Sequence, residues 1–496
     1  MSALTKAIGR APRAAFAAFL ALHFAVWTLL PTLLYANLPL DLIEALTYGR
    51  EWQLGYDKLP PLPWWLVEVM YRLFGVDAAY YALAQAAVVI AFTAVFMTAV
   101  PLVGLRRALI AILIIDGLHY FHFTAVKFNH DVIQLPLWGL AGYALYCGLR
   151  RGGLGYWILF GLSVGLALWA KYFVVVLAVP YAMFLLIDRE ARPALARPGP
   201  WIAAVLALAV MAPHIAWLVS NDFLPFAYAE ARSAPARGLI DHLVHPLAFL
   251  GGQVFYFLPG LLIASALWWP RPQPAASTPP ADAFDSRIVS LLAFGPAATV
   301  VVLAAISGRG TVAMWGYPLW LFLGLWIVLT FWSAIDQARM GRIVMLWGLV
   351  FTLFVAAFVA DYLVLPPLDH RYRAVLFPGE TLAAELDRRF RDATGTPLAY
   401  VIGSMWNGGN AAHYSPERPQ PRVLIDGLPR RAPWIDLADL KSKGAVVVWT
   451  EGDLQKLPEE FAAVAPGAEP GVPFDLPFRR GGNVLHVGWA VLKPSR

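Results

Sequence analysis

Charge is scarce in this chain. Asp, Glu, Lys and Arg make up 14% of its 496 residues, about half the share usual in a soluble domain. Apolar residues make up 59%, and the mean hydropathy is +0.60. That balance excludes an ordinary soluble globular protein. The single cysteine, Cys147, sits in an apolar run, so no disulfide can form within the chain and cysteine spacing says nothing about redox surroundings. The net charge of +6 is not gathered into a basic domain. Its cations recur between apolar runs, which argues against nucleic acid as a partner and makes them markers of membrane orientation. No internal repeat marks duplicated transporter halves. A complete dinucleotide fingerprint, a phosphate-binding lysine loop and a serine nucleophile elbow are also missing.

Long hydrophobic runs fill most of the rest. Stretches able to cross a hydrocarbon layer of about 30 Å fall near 15–34, 79–103, 108–125, 131–149, 156–170, 172–187, 200–219, 246–269, 288–306, 315–332 and 343–363. The pattern predicts a polytopic α-helical membrane protein with about eleven transmembrane helices. Twenty Trp and nineteen Tyr suit the two membrane interfaces, where a ring has one dry and one wet edge. Arg106, Arg107, Arg150, Arg151, Arg189, Arg192, Arg197, Arg271, Arg287, Arg339 and Arg342 lie in connections on one side of this topology, which is therefore cytoplasmic. The run after Lys6, Arg10 and Arg13 is long and lacks a clear cleavage site, so it reads as a retained first helix with a cytoplasmic N-terminus. Only Lys171 interrupts 156–187; two helices fit better than one, since about 31 residues would extend about 46 Å.

Residues 271–287, rich in Pro, Ala and Ser, read as a flexible linker. Beyond 364 the runs shorten to PLAYVIGS, PRVLID, GAVVVWT and VLHVGWAVL, preceded by the helix-like ETLAAELDRRFRDA. This alternation predicts a small α/β domain at 364–496, on the external, periplasmic side. A transmembrane domain at 1–363 precedes it, with a first external loop at 35–78.

That loop concentrates chemistry. Asp41 and Glu44 are three residues apart and share a face if a helical turn begins there. Such a pair can bind a cation, or one member can take a proton from an attacking hydroxyl; alternatively Asp41 merely caps a helix. Asp57 and Lys58 precede LPPLPWW, where the prolines stiffen the chain. Lys58 suits a phosphate or an interfacial anchor. DGLHYFHFTAVKFNHD places Asp116, His119, His122, Lys127, Asn129, His130 and Asp131 within sixteen residues. His119 and His122 can join a nearby acid on a divalent metal, though no zinc signature is matched; hydrogen bonding to a sugar or within the bundle is the other use. Lys171 needs an anionic partner, either a lipid phosphate or Asp131. His214, His242, His245 and Arg309 are weaker candidates on external loops or helix ends. GSMWNGGN, a strand and turn leading into a helix, has a shape that can cradle an anion, in a domain read as a substrate-binding or stabilising cap.

Asp41 and Glu44 followed by YDKLPPLPWW resemble the GT-C membrane glycosyltransferases, specifically the group of protein O-mannosyltransferases and lipid A aminoarabinose transferases. Lys58, Pro60, Pro61 and Leu62 match the group's basic-Pro-Pro-Leu segment, with Leu59 inserted, and Asp-x-x-Glu stands where several relatives have adjacent acids. KFNHDVIQLPLWGLAGY and GLALWAKY also resemble the group, most nearly its lipopolysaccharide-core galacturonosyltransferases. The resemblance implies a GT-C fold and an inverting sugar transfer from a polyprenyl-phosphate carrier to a lipopolysaccharide, lipid A or related glycolipid, at the periplasmic face of a bacterial inner membrane. It implies Asp41 as base with Glu44 its neighbour, or the reverse; Lys58 and Lys171 on the carrier phosphate; and Asp57, Asn129, His130 and Asp131 as sugar contacts or support. A protein O-glycosyltransferase and a lipid-linked sugar flippase are the rivals. A flippase predicts polar groups near the midplane, whereas the acids and lysines crowd at one face.

Overall fold

The computed structural model describes residues 8–232, 235–269 and 280–495. Most of the expected 271–287 linker, with Arg271, and the basic Lys6 lie outside the described residues. The chain divides into two compact units. The first runs up to Leu29 and includes Lys58–Leu62 and Tyr81–Ala357; the second comprises Leu30–Asp57, Pro63–Tyr80 and Phe358–Arg496.

Among the described residues, six helices are long and apolar enough to cross a membrane: α1 (Pro12–Leu34), α4 (Asp77–Asp116), α8 (Pro198–Ser220), α10 (Asp241–Ser265), α11 (Ala283–Ser307), and the helical run Gln337–Val364, whose α-helical part is α13 (Gln337–Val359). The short helices α2 (Leu40–Gly49) and α3 (Leu62–Phe74) precede α4. α5 (Gln134–Arg150), α6 (Leu154–Ala170) and α7 (Val175–Ile187) are shorter than a typical span, and α9 (Leu224–Arg232) and α12 (Leu323–Thr330) shorter still.

The difference from eleven spans has local causes. The expected spans 79–103 and 108–125 fall largely on α4, which is bent at Gly104 (φ 77°, ψ 164°), a conformation only glycine adopts readily. The second of them does not continue as a helix past Asp116: turns and a 3₁₀ segment at His119–Phe121 follow. Tyr120, Phe121 and His122 there are buried, and irregular backbone is tolerated at membrane depth only where protein or water covers it. The expected 315–332 span is similarly broken, with the end of a 3₁₀ turn (Ala313–Gly316) and further turns before α12. Lys171 is extended (φ −163°, ψ 132°) and separates α6 from α7, as two helices require.

The second unit is built around a mixed sheet. Its strands are β1 (Tyr400–Gly403), β2 (Arg422–Ile425), β3 (Ala445–Trp449), β4 (Glu469–Pro470), β5 (Phe474–Pro477) and β6 (Val484–Leu492), in the order β2-β1-β3-β6-β4, with β5 also paired to β6. β1 lies parallel to β2 and β3, with Val401 opposite both Val423 and Val446, while β6 runs antiparallel to β3 with Ala490 opposite Val447. All five residues of β3 are buried, the mark of a strand covered on both faces. Val446 and Val448 join Leu382, Leu386 and Phe390 of α14 (Gly379–Thr394) in one core. Ala445, Val447 and Trp449 pack on the other side with Leu440 of α16 (Leu437–Lys443) and Phe461.

α2 belongs to this unit. It lies against α15 (Met405–His413) at Gly409, where an added Cβ would stand 2.7 Å from Thr47 Oγ1 and 2.8 Å from Ile43 Cγ2. Leu38 N donates to Tyr414 Oη at 2.9 Å just before α2 begins. Gly409→Val is expected to lower stability by about 1–3 kcal/mol through overpacking, read as an earlier thermal unfolding midpoint of the purified chain.

α14 carries a buried acid. Burial pushes the Asp387 carboxyl up to about 6, with the neighbouring Glu417 adding to the rise and Ser415 and Arg391 opposing it. A carboxyl raised in the folded state is most favourable to folding at low pH, and that contribution is lost as pH rises through about 6. Asp387→Asn should therefore stabilise the chain by about 1–2 kcal/mol at pH 8 and by much less at pH 5, measured as the difference in unfolding midpoint between the two proteins at each pH.

Candidate functional site

The acidic pair sits at the start of α2. Pro39 occupies the N-cap, so Asp41 is not the cap but lies in the first turn, where a carboxylate is favoured by the helix dipole. Asp41 is partly exposed, whereas Glu44, one turn on, is 4% exposed. The two carboxylates thus have different surroundings on one short helix.

Asp57, expected as a sugar contact or support, holds this helix in place. Its Oδ1 accepts from Tyr48 Oη at 3.0 Å and its Oδ2 from Arg431 Nε at 2.7 Å. Arg431 also donates to Asp426 and to Tyr48 Oη. Tyr48 is stacked on Trp64 with centroids 4.5 Å apart, and its hydroxyl is held well above the usual tyrosine range by burial and then by the Asp57 charge. At the helix end Arg50 donates to the carbonyls of Gln420 and Pro421 at 2.8 and 2.9 Å. Glu51 pairs with Arg422 at 3.0 Å. Arg431, Arg422 and Arg50 carry this docking; sequence reasoning missed the role because their partners lie more than 300 positions away.

The first unit holds the expected phosphate-binding lysines. Lys171 Nζ donates to Asp131 Oδ1 at 2.5 Å, with the two side chains 14% and 16% exposed. Asn129 Oδ1 accepts from the backbone N–H groups of Asp131 and Val132, both at 3.0 Å, and so fixes the turn that presents the acid. His130 Nε2 lies 3.0 Å from the Pro60 carbonyl, which joins this turn to the Lys58–Leu62 segment. Lys58 Nζ stands 5.3 Å from the centre of the Tyr228 ring on α9, within cation–π range. Gln134 Nε2 donates to the Ala167 carbonyl at 3.0 Å, and Gln134 Oε1 accepts from Trp138, tying α5 to the end of α6 beside Lys171. Asn129, His130, Asp131 and Lys171 thus form one linked set that reaches the segment carrying Lys58 through the Pro60 carbonyl, while Asp41, Glu44 and Asp57 belong to the other unit.

The histidines separate. His119 stacks on Phe123 and Tyr256, with centroids 5.6 and 5.3 Å apart. His122 instead meets His23 and Asp116, and these three are the one group among the described residues with metal-ligating atoms in mutual reach. The structure therefore does not group His119 with His122; His23 and Asp116 take its place. An intramembrane histidine such as His23, in ALHFAV, was the available signal. His214 receives Tyr172 Oη at 2.8 Å. His242 and His245 bind the carbonyls of Ala305 and Gly308, each at 2.8 Å, so they join α10 to the end of α11. Arg309 reaches Glu230 at 3.4 Å on the surface.

At the carboxyl ends of the parallel strands β1, β2 and β3 a cavity of about 780 Å³ is lined by Ser404, Asn407, Asp426, Glu451, Asp453 and Lys456, among others. Ser404 Oγ caps α15 by accepting from Asn407 N at 3.0 Å. Glu459 and Glu460 also line it, and this acidic rim argues against the anion cradle expected at GSMWNGGN.

A family model described as dolichyl-phosphate-mannose-protein mannosyltransferase matches residues 58–217, a stretch holding Lys58, Asp131 and Lys171 but neither Asp41 nor Glu44. The lipid A galacturonosyltransferase RgtD of Rhizobium johnstonii is 28% identical over 182 residues, which are 35% of this chain and 37% of that protein. The lipopolysaccharide core galacturonosyltransferase RgtB of the same organism is 25% identical over 197 residues, 38% of this chain and 39% of that protein. The match thus spans less than half the length of each relative. Among solved structures, ArnT from Cupriavidus metallidurans bound to undecaprenyl phosphate aligns over 97% of this chain and 99% of its own, with a TM-score of 0.63 and 14% identity. The fold is therefore the ArnT-like GT-C fold.

The Lys171–Asp131 pair gives a direct test of this geometry. Lys171→Met and Asp131→Asn should each destabilise, and the double variant should lose less than the sum, with a coupling of about 0.5–3 kcal/mol in thermal unfolding. Strict additivity would mean that the pair does not form.

Proposed function

We propose that the protein is an inverting glycosyltransferase of a bacterial inner membrane, moving a sugar from a polyprenyl-phosphate carrier to a lipid A, lipopolysaccharide or related envelope glycolipid at the periplasmic face. The observation that carries the reading is the Lys171–Asp131 pair, whose turn meets the Lys58–Leu62 segment where His130 reaches the Pro60 carbonyl, inside the stretch matched by the mannosyltransferase family model and on an ArnT-like fold. The named activities of RgtD and RgtB supply the acceptor class.

In this reading the acceptor hydroxyl oxygen attacks the anomeric carbon while its proton passes to Asp41. The bond from that carbon to the carrier phosphate breaks, and its electron pair stays on the phosphate oxygen. Lys58 and Lys171 balance the charge that grows there, an interaction stronger in the transition state than in the ground state. Glu44 lies buried one turn from Asp41 on the same short helix and is its neighbour in the site. Asp131 orients Lys171 toward the phosphate, and Asn129 and His130 hold the turn that carries Asp131. A protein acceptor is the second reading, favoured by the description of the matching family.

The test is lipid mass spectrometry on a strain lacking the gene, complemented with wild type, Asp41→Asn, Lys58→Ala or Lys171→Ala, with membrane levels of each variant checked. One sugar increment should vanish from lipid A or core and return only with wild type. In membranes, Asp41→Asn should slow transfer roughly 10²–10⁴-fold, and each lysine variant roughly 10²–10³-fold. Unchanged glycolipids with the sugar-charged carrier accumulating outside would move the acceptor to protein; accumulation inside would replace the transferase with a flippase.

A further inference from the structure

Deep in the first unit three side chains capable of binding a metal converge. His23 lies midway along α1, Asp116 is the last residue of α4, and His122 follows the 3₁₀ turn beyond it. All three are fully buried. One ligating atom from each falls within 4.8 Å of the other two. His23 Nδ1 is 2.9 Å and His122 Nε2 is 3.8 Å from Asp116 Oδ1. Ligands about 2.0–2.1 Å from a tetrahedral zinc stand about 3.3 Å apart, so these spacings bracket the value a shared ion sets.

Hydrogen bonding alone does not account for the cluster. Both ring nitrogens of His23, Nδ1 of His122 and Oδ1 of Asp116 are buried without a hydrogen-bond partner, where buried polar atoms are ordinarily satisfied. His23 Nδ1 and Asp116 Oδ1 face each other at 2.9 Å, so a nitrogen and an oxygen able to bind one ion already share one place. The other carboxylate oxygen, Asp116 Oδ2, accepts from Trp347 Nε1 at 2.7 Å, an outer contact of the kind that orients a metal-binding carboxylate. His122 Nε2 is hydrogen-bonded to the Asp116 carbonyl oxygen at 2.5 Å, a contact that holds the imidazole beside Asp116 and that an ion would replace. The rings of Trp27, Phe351 and Phe354 surround His122 and keep the site dry.

We propose that His23, Asp116 and His122 form a buried site for a divalent transition metal of the zinc class, which ties α1 to the end of α4. Two imidazoles and one carboxylate favour zinc or cobalt over magnesium or calcium. A metal also offsets the cost of a carboxylate in an apolar interior, since it supplies positive charge and accepts lone pairs from His23 Nδ1 and Asp116 Oδ1.

The test uses the full chain, purified in detergent without a histidine tag, stripped with chelator and titrated with Co²⁺. About one cobalt per chain, with the strong visible absorption of four-coordinate Co²⁺ and its loss on adding Zn²⁺, is expected. His23→Gln and His122→Gln should abolish the band. Trp347→Phe should keep it but weaken binding roughly 10–100-fold, and His119→Gln should change neither band nor affinity. A wild-type chain with no visible band at saturating cobalt overturns the proposal even if the ligand variants fail to fold. Equal cobalt uptake by wild type and a folded His23→Gln does the same.

Discussion

The ion pair between Lys171 and Asp131 fixes the geometry around which the first unit is arranged. An ammonium group in an apolar run must either reach water or find an anion. Here it finds one, and the chain between α6 and α7 opens into an extended residue to let it. Asp131 in turn needs a rigid turn, which Asn129 supplies by accepting two backbone N–H groups. His130, between them in sequence, meets the Pro60 carbonyl. A single short segment therefore holds a lysine from one helix boundary and a proline-rich strap from the first loop.

The second unit meets a different constraint, that of placing acids at a polar boundary without letting them wander. α2 has only ten residues, too few to be stable alone in water. It is held from both ends and along one side. Asp57 and Tyr48 share Arg431, Arg50 takes two carbonyls, and Gly409 lets α15 approach the backbone side of Ile43 and Thr47. Arg431 and Gln420 come from the α/β domain, which is therefore the bed on which the acid-bearing helix lies.

What could be read from the sequence follows from how local each signal is. The break at Lys171 was legible because one charge in an apolar run has few explanations, and Asp131 was one of its two expected partners, beside a lipid phosphate. The α/β domain was legible because β1, β2, β3 and β6 are bounded hydrophobic runs of strand length. The bend at Gly104 and the irregular stretch after Asp116 were not, because hydropathy registers apolar length and is blind to whether the backbone stays helical. Nor were the Arg431 clamp and the His23 contact, which join residues far apart in sequence. For His23 the single clue was its presence in a membrane helix, and nothing local says which residue answers it.

An ion pair beside a proposed phosphate site looks at first like a competitor for the substrate. The energetics argue otherwise. A lone lysine in a half-buried position would be partly neutralised by desolvation, and would have to be charged and positioned as the carrier arrives. Lys171 is pointed by Asp131, with both groups about one-sixth exposed or less, so water still reaches them and the contact can be shared. The phosphate of a sugar-charged carrier, a diester with one negative charge, can take one of the three ammonium donors without displacing Asp131 from another. In the proposed reaction the acid would preserve the lysine's orientation for the moment when charge on the departing phosphate oxygen is greatest. On that account the carboxylate is a positioning group, and its value lies in keeping the lysine ready rather than in touching the sugar.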